Sequence, residues 1–320
     1  MHIFLLAFLA LITYQSPLQA QLHSVRLKEV KRFRVPTGPK SLRHSPDGRY
    51  VVVCCLYGHK VDIIDAHTYH SLRIVKVSDE PVECDFSHKS NVAWVSLYNS
   101  SAIVAIDLPT GKVVGSVEVG HIPKVVAVSP DQNWVYVANW ASASVSVINT
   151  HTMQKVKDVP VGPIPRGICF KGNFAYVAIM GGTQVAVVDM AQDHKVVGKI
   201  ASGFNPRHVV LSPDKHRLYM SNNKPGTITE VDLDKSKPVA TIQVGKMPRT
   251  IAVAPEGDAL FVCNYKSNNI GIIDLKLRKQ VGTQKTIIHP IGASISPKGD
   301  TLWVSSYPTS VVQVFQIIRK

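Results

Sequence analysis

The chain has 320 residues, of which 45% are hydrophobic and 18% are charged. This composition excludes an intrinsically disordered chain and provides enough apolar material for a large buried core. Lys and Arg number 36 against 22 Asp and Glu, so the formal net charge is +14, which favours anionic partners. No apolar run in the sequence reaches the roughly 18–20 residues that a membrane-spanning helix needs.

The first segment has the pattern of an export signal. Residues 3–12 are uniformly apolar, and a polar stretch then leads to the small residue Ala20. This pattern is typical of a secretory signal peptide at residues 1–20, cleaved after Ala20, followed by a single mature domain at residues 21–320. We therefore expect an exported protein, periplasmic or secreted. The alternative is that residues 3–12 form a buried first strand or helix.

Prolines in tight turns divide the rest of the chain into repeats. Successive turn prolines are separated by 84, 83, 42 and 42 residues, which are multiples of a period close to 42. Each repeat reads as four short strands, a to d, and a period of 40–45 residues with such strands is typical of a propeller blade. The turn prolines are Pro46, Pro130, Pro213, Pro255 and Pro297.

The two ends of the chain predict how the ring closes. Only four residues follow the last strand c at residues 311–316, which is too few for a strand d, whereas residues 27–35 form a spare strand ahead of the first repeat. Pairing of these two segments would complete the last blade and remove an exposed sheet edge. The sequence therefore predicts an all-β fold: a seven-bladed propeller of four-stranded antiparallel blades, closed by an N-terminal strand.

Several repeat motifs resemble those of a known family. The segments Tyr136-Val-Ala-Asn139 and Val262-Cys-Asn264, and the turn at residues 107–112, are similar to the YVTN-repeat β-propellers, which include YncE-like and surface-layer-type exported proteins. The resemblance covers residues 27–320. It implies an exported seven-bladed ring with a binding or scaffolding role and no shared catalytic residues.

Equivalent positions in the seven repeats form columns, and one column in strand b accepts only small residues. Cys54 and Cys263 belong to it, so we interpret both as small buried hydrophobic residues, and we expect the same of Cys84 and Cys169 in strand a. The column comprises Cys54, Ser96, Ala138, Ala178, Ser221, Cys263 and Ser305.

A second column, directly after the first proline of strand a, is mostly cationic. Because strand a is the innermost strand of a propeller blade, we expect these residues to lie where the crossing loops meet the central channel and to favour an anion there. The alternative is that each cation reaches separately into solvent or bonds a neighbouring carbonyl. The column comprises Lys40, Val82, Lys124, Arg166, Arg207, Arg249 and Ile291.

A third column, in the loops between strands b and c, contributes four aromatic residues to the same face. Aromatic rings beside cations suit stacking on bases, sugars or an aromatic ligand. The preceding residues Asn139, Asn222 and Asn264 are interpreted as loop-capping residues rather than ligand donors. The aromatic members of the column are Tyr98, Trp140, Tyr265 and Tyr307.

Acidic residues interrupt strand a in the second blade. Arg43 of the first blade aligns with Asp85, so we expect an ion pair between Arg43 and either Asp85 or Glu83. The alternative is a catalytic or metal-binding cluster of Glu83, Asp85 and His208 facing the channel. No motif in the sequence specifies a cofactor or a metal, and we predict neither.

These patterns favour a non-enzymatic binding or scaffold protein that engages an anionic polymer or an acidic protein surface at the channel mouth. Nucleic acid, an acidic cell-envelope glycan and an acidic patch on another protein are the candidate partners, and we expect a monomer. Two alternatives remain open. One is a propeller enzyme of the lactonase, lyase or oxidoreductase-subunit type that uses Glu83, Asp85 or His208, and the other is a purely structural interaction module.

Overall fold

A computed structural model describes residues 25–87 and 91–319 of the chain. Its strands form seven four-stranded antiparallel sheets, which confirms the predicted seven-bladed propeller. A short 3-10 helix, Leu56–Gly58, joins two strands of the first blade. The predicted signal segment, residues 1–20, lies outside the described residues.

The strands follow one another along the chain in the order that the repeats predict. Strand β1 (Arg26–Arg34) precedes the first complete blade. Blades 1 to 3 are β2 (Pro39–His44), β3 (Tyr50–Cys55), β4 (Lys60–Asp65) and β5 (Ser71–Lys76); β6 (Pro81–Ser87), β7 (Val92–Leu97), β8 (Ala102–Asp107) and β9 (Val113–Glu118); and β10 (Pro123–Val128), β11 (Trp134–Asn139), β12 (Ser144–Asn149) and β13 (Gln154–Pro160).

The remaining four blades repeat this arrangement, and the last blade has only three strands of its own. Blades 4 to 7 are β14 (Pro165–Lys171), β15 (Phe174–Ile179), β16 (Gln184–Asp189) and β17 (Lys195–Ala201); β18 (Pro206–Leu211), β19 (Arg217–Asn222), β20 (Thr227–Asp232) and β21 (Lys237–Gln243); β22 (Pro248–Val253), β23 (Ala259–Asn264), β24 (Asn269–Asp274) and β25 (Lys279–Lys285); and β26 (Pro290–Ile295), β27 (Thr301–Ser306) and β28 (Val311–Ile318).

The N-terminal strand closes the ring. Strand β1 pairs antiparallel with β28, from Arg26 opposite Ile318 to Arg34 opposite Val311. The last sheet therefore has the order β1-β28-β27-β26, and β1 takes the place of the missing strand d. Closure pairs the edge of β28 that would otherwise be exposed, as the sequence predicts.

The hydrophobic core lies between neighbouring blades. One cluster, for example, joins Val145 and Val147 of blade 3 to Val177 and Val188 of blade 4. The small-residue column of strand b lies in this packing layer, and its seven members have no exposed surface at all, as predicted: Cys54, Ser96, Ala138, Ala178, Ser221, Cys263 and Ser305. Cys84 is also buried, but Cys169 is half-buried, which differs from the prediction.

The described part of the chain contains no helix that is both long enough and apolar enough to cross a membrane.

Candidate anion-binding site

The backbone brings the cationic column and the aromatic column together at one end of the ring. In blade 3, the amide of Trp140 donates a hydrogen bond of 3.0 Å to the carbonyl of Ile122, the residue before the strand-a proline. The same bond, 2.8 to 3.4 Å long, recurs in all seven blades. Ile122 adopts a φ of 52°, which is unusual for a β-branched residue and turns its carbonyl towards the loop. Each loop between strands b and c is thereby fixed against the start of strand a.

The cationic residues occupy the second position of strand a itself, directly after its first proline. The sequence predicted a place after this proline, where the crossing loops meet the central channel, and in the structure each proline is already the first residue of the strand. We call the five cations the cationic collar. They are Lys40, Lys124, Arg166, Arg207 and Arg249.

The collar is buried. Arg166, Arg207 and Lys124 are only 5%, 8% and 9% exposed, and Lys40 and Arg249 are half-buried. The structure therefore does not place these side chains separately in bulk solvent. Such burial carries a large desolvation cost for a charged group that lacks a partner of opposite sign.

The collar cations act on one another's pKa values across the ring. Burial, followed by the charges of Arg207 and Arg166, holds the pKa of Lys40 well below its usual value, although Lys40 lies in blade 1. Burial, followed by the charges of Arg166 and Arg249, likewise lowers the pKa of Arg207. Burial and Arg166 lower the pKa of Arg249 to about 10. Like charges influence one another in this way only when they converge.

No carboxylate pairs directly with the collar. Within residues 25–87 and 91–319, none of the five cations belongs to an ion pair. Nη1 of Arg166 and Nε of Arg249 are buried without a hydrogen-bond partner. The acid that acts most widely on the collar is Glu83, whose charge raises the pKa of Lys40, of Lys124 and of Arg207. Among the collar cations, Glu80 acts on Lys124 alone, so the nearby carboxylates are fewer than the five cations.

Aromatic rings cover part of the collar. Nζ of Lys124 lies 3.6 Å from the ring centroid of Tyr98 and 5.2 Å from that of Trp140. The guanidinium of Arg249 lies 4.7 Å from Tyr265. Cation–π contacts of this kind stabilise a cation in a partly desolvated site. We call Tyr98, Trp140, Tyr265 and Tyr307 the aromatic rim.

The rim is incomplete over blades 4 and 5. Lys40 lies 5.0 Å from the ring of Tyr307, so three of the collar cations have an aromatic partner. The equivalent loop positions beside Arg166 and Arg207 hold Met180 and Asn223 instead. These two guanidinium groups are therefore the members of the collar that no aromatic ring covers in the described residues.

Two further rings extend the rim that the aromatic column predicts. Tyr57 packs on Tyr307 with 5.4 Å between centroids, and His289 stacks on Tyr265 at 4.3 Å with an interplanar angle of 14°. The column analysis missed Tyr57, which follows the aligned Leu56 by one residue in the 3-10 helix. The sequence signal for it was an aromatic residue one position after the non-aromatic Leu56.

The three asparagines below the rim brace the blades, as predicted. Nδ2 of Asn139 donates to Ser146 at 2.8 Å, and Nδ2 of Asn222 donates to Thr229 at 2.8 Å. Nδ2 of Asn264 donates to Oδ1 of Asn269 at 2.9 Å. All three side chains are fully buried, so they hold the strand ends rather than reaching into the channel.

A cavity of about 500 Å³ occupies the central channel on the other side of the collar. Strand a of every blade lines it, and the polar side chains in its wall include Arg43, Glu83, Asp85, His208 and the half-buried Cys169. The three acid–base candidates from the sequence therefore do face one space. Among the described residues, however, no group of three His, Cys, Asp or Glu could hold a metal ion.

The acidic residues of this channel have different surroundings. Arg43 pairs with Asp85 at 3.3 Å, which is one of the two ion pairs that the sequence predicts. Asp85 also accepts hydrogen bonds of 2.8 Å from the amide of Val128 and 2.9 Å from that of Phe86, so its carboxylate is committed to the fold. The Glu83 carboxylate forms no ion pair in the part of the chain that the structure describes.

His208 is held neutral. Burial, followed by the charges of Arg43 and Arg166, lowers the pKa of His208 to about 3. Its Nδ1 lies 3.5 Å from the amide nitrogen of Ile251, at the limit of a hydrogen bond. The ring therefore adds no positive charge to the collar at neutral pH.

The fold and this geometry define a seven-bladed β-propeller with a buried cationic collar. A family model described as "Lactonase, 7-bladed beta-propeller" matches residues 165–285, the segment that contains three of the collar arginines. No curated protein matches the chain. The match supports the propeller class, while the finer resemblance to YVTN-repeat proteins stays a prediction.

A solved structure shares the whole architecture. The chain is similar to a chain of "Kuenenia stuttgartiensis Hydrazine Synthase", with a TM-score of 0.78 and 21% sequence identity over 92% of this chain and 99% of that one. At this identity the likeness concerns the fold alone.

Proposed function

We propose that this protein binds an anionic ligand in the cationic collar. The observation that carries the proposal is the convergence of five cations from five blades, three of them buried and two half-buried, without an ion-paired carboxylate among the described residues. A bound anion would supply the missing countercharge and the acceptors for Nη1 of Arg166 and Nε of Arg249. Because unpaired buried charges are costly, much of the binding free energy would come from relieving that cost.

The burial of the collar limits the ligand's shape. A polyanion lying flat across the ring would meet the aromatic rim before it reached Arg166 or Arg207, which are at most 8% exposed. A compact group such as a carboxylate, phosphate or sulfate reaches the collar more easily, with bidentate geometry available from the arginines. We therefore favour a small ligand, or a protruding terminal group of a nucleic acid, an acidic glycan or an acidic protein surface.

A charge-matched pair of variants tests the proposal. Replacing Arg166, Arg207 and Arg249 with Gln should weaken the binding of sulfate, phosphate and citrate by at least about tenfold, measured by calorimetry. The control replaces Lys199, Lys237 and Lys279 with Gln. These lysines are exposed on the outer strands of the same three blades, so the control loses the same three positive charges from the surface instead of the collar. Equal affinity in all three proteins would refute the collar as the binding site.

Ligand binding should also stabilise the folded state. A ligand that binds only the native protein raises the free energy of unfolding by about 2.7 kcal/mol at a concentration of 100 times its Kd. Thermal denaturation should then show a higher Tm with the anion in the wild type and in the surface control, but not in the collar variant. A rise in all three would indicate a general salt effect instead.

We further propose that the protein is exported and acts as a monomer in the periplasm or outside the cell. The apolar segment at residues 3–12 and the small residue Ala20 support this proposal. N-terminal sequencing of the protein from its native host should find Gln21 as the first residue. Retention of residues 1–20 in the folded protein would contradict it.

Lactone hydrolysis is the second candidate function. The lactonase match at residues 165–285 favours it, as does the Glu83 carboxylate, which is free of ion pairs in the described chain. In this case Glu83 would activate water, the uncharged His208 in the same cavity would orient that water, and the collar would hold the developing oxyanion. The test is lactone hydrolysis by wild type, Glu83→Gln and His208→Gln. Activity that neither variant lowers would exclude both roles.

A further inference from the structure

Lys124 has an unusual combination of neighbours. Its side chain lies between the rings of Tyr98 and Trp140, with Nζ 3.6 Å and 5.2 Å from their centroids. The residue is 9% exposed, and within the described residues Nζ has neither an ion pair nor a hydrogen bond. An amine held in an aromatic pocket without a polar partner is free to react.

The charge state of Lys124 suits a nucleophile. Burial, followed by the charges of Arg166 and Arg207, lowers its pKa to about 7, while Glu83 and Glu80 act in the opposite direction. A substantial fraction of the amine is therefore unprotonated at neutral pH, whereas an ordinary lysine is almost wholly protonated there. Desolvation and a neighbouring cation are the two factors that activate lysines for imine chemistry.

The same two arginines offer a carboxylate site beside this amine. Arg166 and Arg207 influence Lys124 electrostatically, carry no aromatic cover, and include the unpartnered Nη1 of Arg166. A small molecule whose carboxylate pairs with these guanidinium groups would present its adjacent carbonyl carbon on the side of Lys124. A 2-oxo acid has this arrangement of groups.

We propose that Lys124 forms a reversible imine with a small 2-oxo acid whose carboxylate is bound by Arg166 and Arg207. This inference rests on the proposed anion-binding function and names the ligand class. The neutral Nζ attacks the carbonyl carbon, and the carbonyl oxygen takes up a proton from the nitrogen. The resulting carbinolamine then loses water, so the carbonyl oxygen and the two N–H hydrogens leave as one water molecule and a C=N bond remains. No oxidant or reductant takes part.

The surroundings of Lys124 would stabilise the product. Uptake of one proton from solvent by the imine nitrogen gives a cationic iminium, for which the ring of Tyr98 provides a favourable cation–π contact. The buried position also limits access of the water that hydrolyses imines. The collar would therefore hold the ligand at two points, by an ionic contact and by a covalent bond.

Reductive trapping tests the proposal on the whole chain. The protein is incubated with pyruvate or glyoxylate and cyanoborohydride, and the labelled lysine is located by peptide mapping and mass spectrometry. We expect one dominant adduct, at Lys124, and its loss in Lys124→Arg. Lys199→Arg is the control, because Lys199 is an exposed lysine outside the collar, and it should still be labelled at Lys124. A dominant adduct at Lys40 or at exposed lysines would overturn the assignment.

Two further probes separate this inference from the proposed function. Acetone carries the carbonyl without the carboxylate and should label Lys124 at least about tenfold less than pyruvate, because it gains nothing from the arginines. Lactate carries the carboxylate without the carbonyl and should bind without forming an adduct. Binding of both lactate and pyruvate without any adduct would refute the imine and leave anion binding intact. Failure of both acids to bind while sulfate still binds would refute the imine and leave anion binding intact, whereas failure of sulfate as well would refute the two proposals together.

Folding of Lys124→Arg is checked by its Tm. The arginine keeps the positive charge but lacks a nucleophilic primary amine, so trapping should disappear. Trapping at unchanged yield in a folded Lys124→Arg protein would overturn the proposal.

Discussion

The hydroxyl of Ser96 in strand β7 donates a hydrogen bond of 2.6 Å to the main-chain carbonyl of Lys124 in the neighbouring blade. The same contact recurs three blades further on, where Ser221 donates to the carbonyl of Arg249 at 2.7 Å. The small-residue column of one blade thus holds the backbone of the collar in the next. A position that reads as a packing constraint in the sequence also fixes the register of the candidate site.

Replacing Ser96 with Ala should destabilise the protein by about 1–2 kcal/mol, because a buried carbonyl loses its donor. Ala138 and Ala178 occupy the equivalent position in blades 3 and 4, so alanine fits the available space. The change removes the bond to Lys124 and also the longer bonds of the hydroxyl to the amide (3.3 Å) and the carbonyl (3.4 Å) of Glu83. Denaturant unfolding measures the free energy of unfolding. Calorimetry with sulfate should show weaker binding as the backbone of Lys124 relaxes.

Ser71→Ala is the control for a serine outside this layer. The hydroxyl of Ser71 in β5 donates a hydrogen bond of 2.5 Å to Asp62 in β4. Both residues lie in the outer strands of blade 1 and belong to none of the columns that form the collar. Its replacement should alter stability without altering sulfate affinity. If Ser96→Ala left both quantities unchanged, the cross-blade bond would have no role in positioning the collar.

Anion affinity should fall as the pH rises through about 7, the pKa to which burial and then the charges of Arg166 and Arg207 lower Lys124. Below this pH the amine is charged and attracts the anion, and above it that charge is lost. The other charged groups that act on it are Glu83 and Glu80, which raise its pKa. Sulfate is the suitable probe, because its own charge is constant between about pH 6 and 9, and its Kd should rise by at most about tenfold per pH unit.

Lys124→Arg provides the comparison for this pH profile. Arginine stays charged throughout the range, so the affinity of the variant should vary much less above neutral pH. Lys40, whose pKa is also held low, would account for any pH dependence of the affinity that remains in this variant. Parallel profiles for wild type and variant would show that Lys124 does not control the pH dependence.

The repeats explain why so much of this architecture could be predicted from the sequence. Once seven units align, equivalent residues must form rings, and the cationic and small-residue columns follow directly. The burial of Arg166 and Arg207 could not be predicted in the same way. The column fixes the position of each residue in its strand, whereas burial depends on the conformation of its side chain relative to the ring axis. The pairing of Lys124 with Tyr98 depends likewise on contact between neighbouring blades, which a column does not describe.

The partner of Arg43 is a second feature that the aligned repeats could not predict. Glu83 and Asp85 are two positions apart in one strand and therefore face the same side of the sheet, so both were open as partners. The structure selects Asp85, whose carboxylate is also oriented by the amides of Val128 and Phe86. One of these backbone donors lies in the neighbouring blade and the other in the same strand as Asp85, and no sequence pattern marks them.

Acid should destabilise the protein partly through His44. Burial lowers the pKa of His44 from 6.5 to about 4, and Asp300 acts in the opposite direction. The unfolded chain therefore binds more protons between these two values, and the free energy of unfolding falls as the pH drops through this window, by about 3 kcal/mol in total for this group. The ring packs on Trp303 at 5.4 Å, and the charged residues lining the adjacent cavity are Asp47, His67, Lys298 and Asp300.

His44→Phe should flatten this part of the pH–stability curve. The equivalent position in blades 2 and 4 holds Phe86 and Phe170, so the ring size suits the site. His151→Phe is the control, because His151 is exposed and its removal should leave the acid slope unchanged. Unfolding in urea at a series of pH values provides the measurement. Identical slopes for wild type and His44→Phe would mean that other groups cause the acid sensitivity.

Removal of strand β1 should open the ring. Without residues 25–34, the edge of β28 from Val311 to Ile318 loses its antiparallel partner, and Trp303 loses the edge-on ring of Phe33 at 5.6 Å. We expect a chain of residues 35–320 to unfold at a Tm lower by on the order of 10 °C than a chain of residues 25–320, and to associate through the exposed edge. Thermal denaturation and light scattering after gel filtration measure both effects. A synthetic peptide of residues 25–34 should restore part of the Tm by pairing in trans, whereas a scrambled peptide should not. Equal Tm values for the two chains would show that closure by β1 contributes nothing to stability.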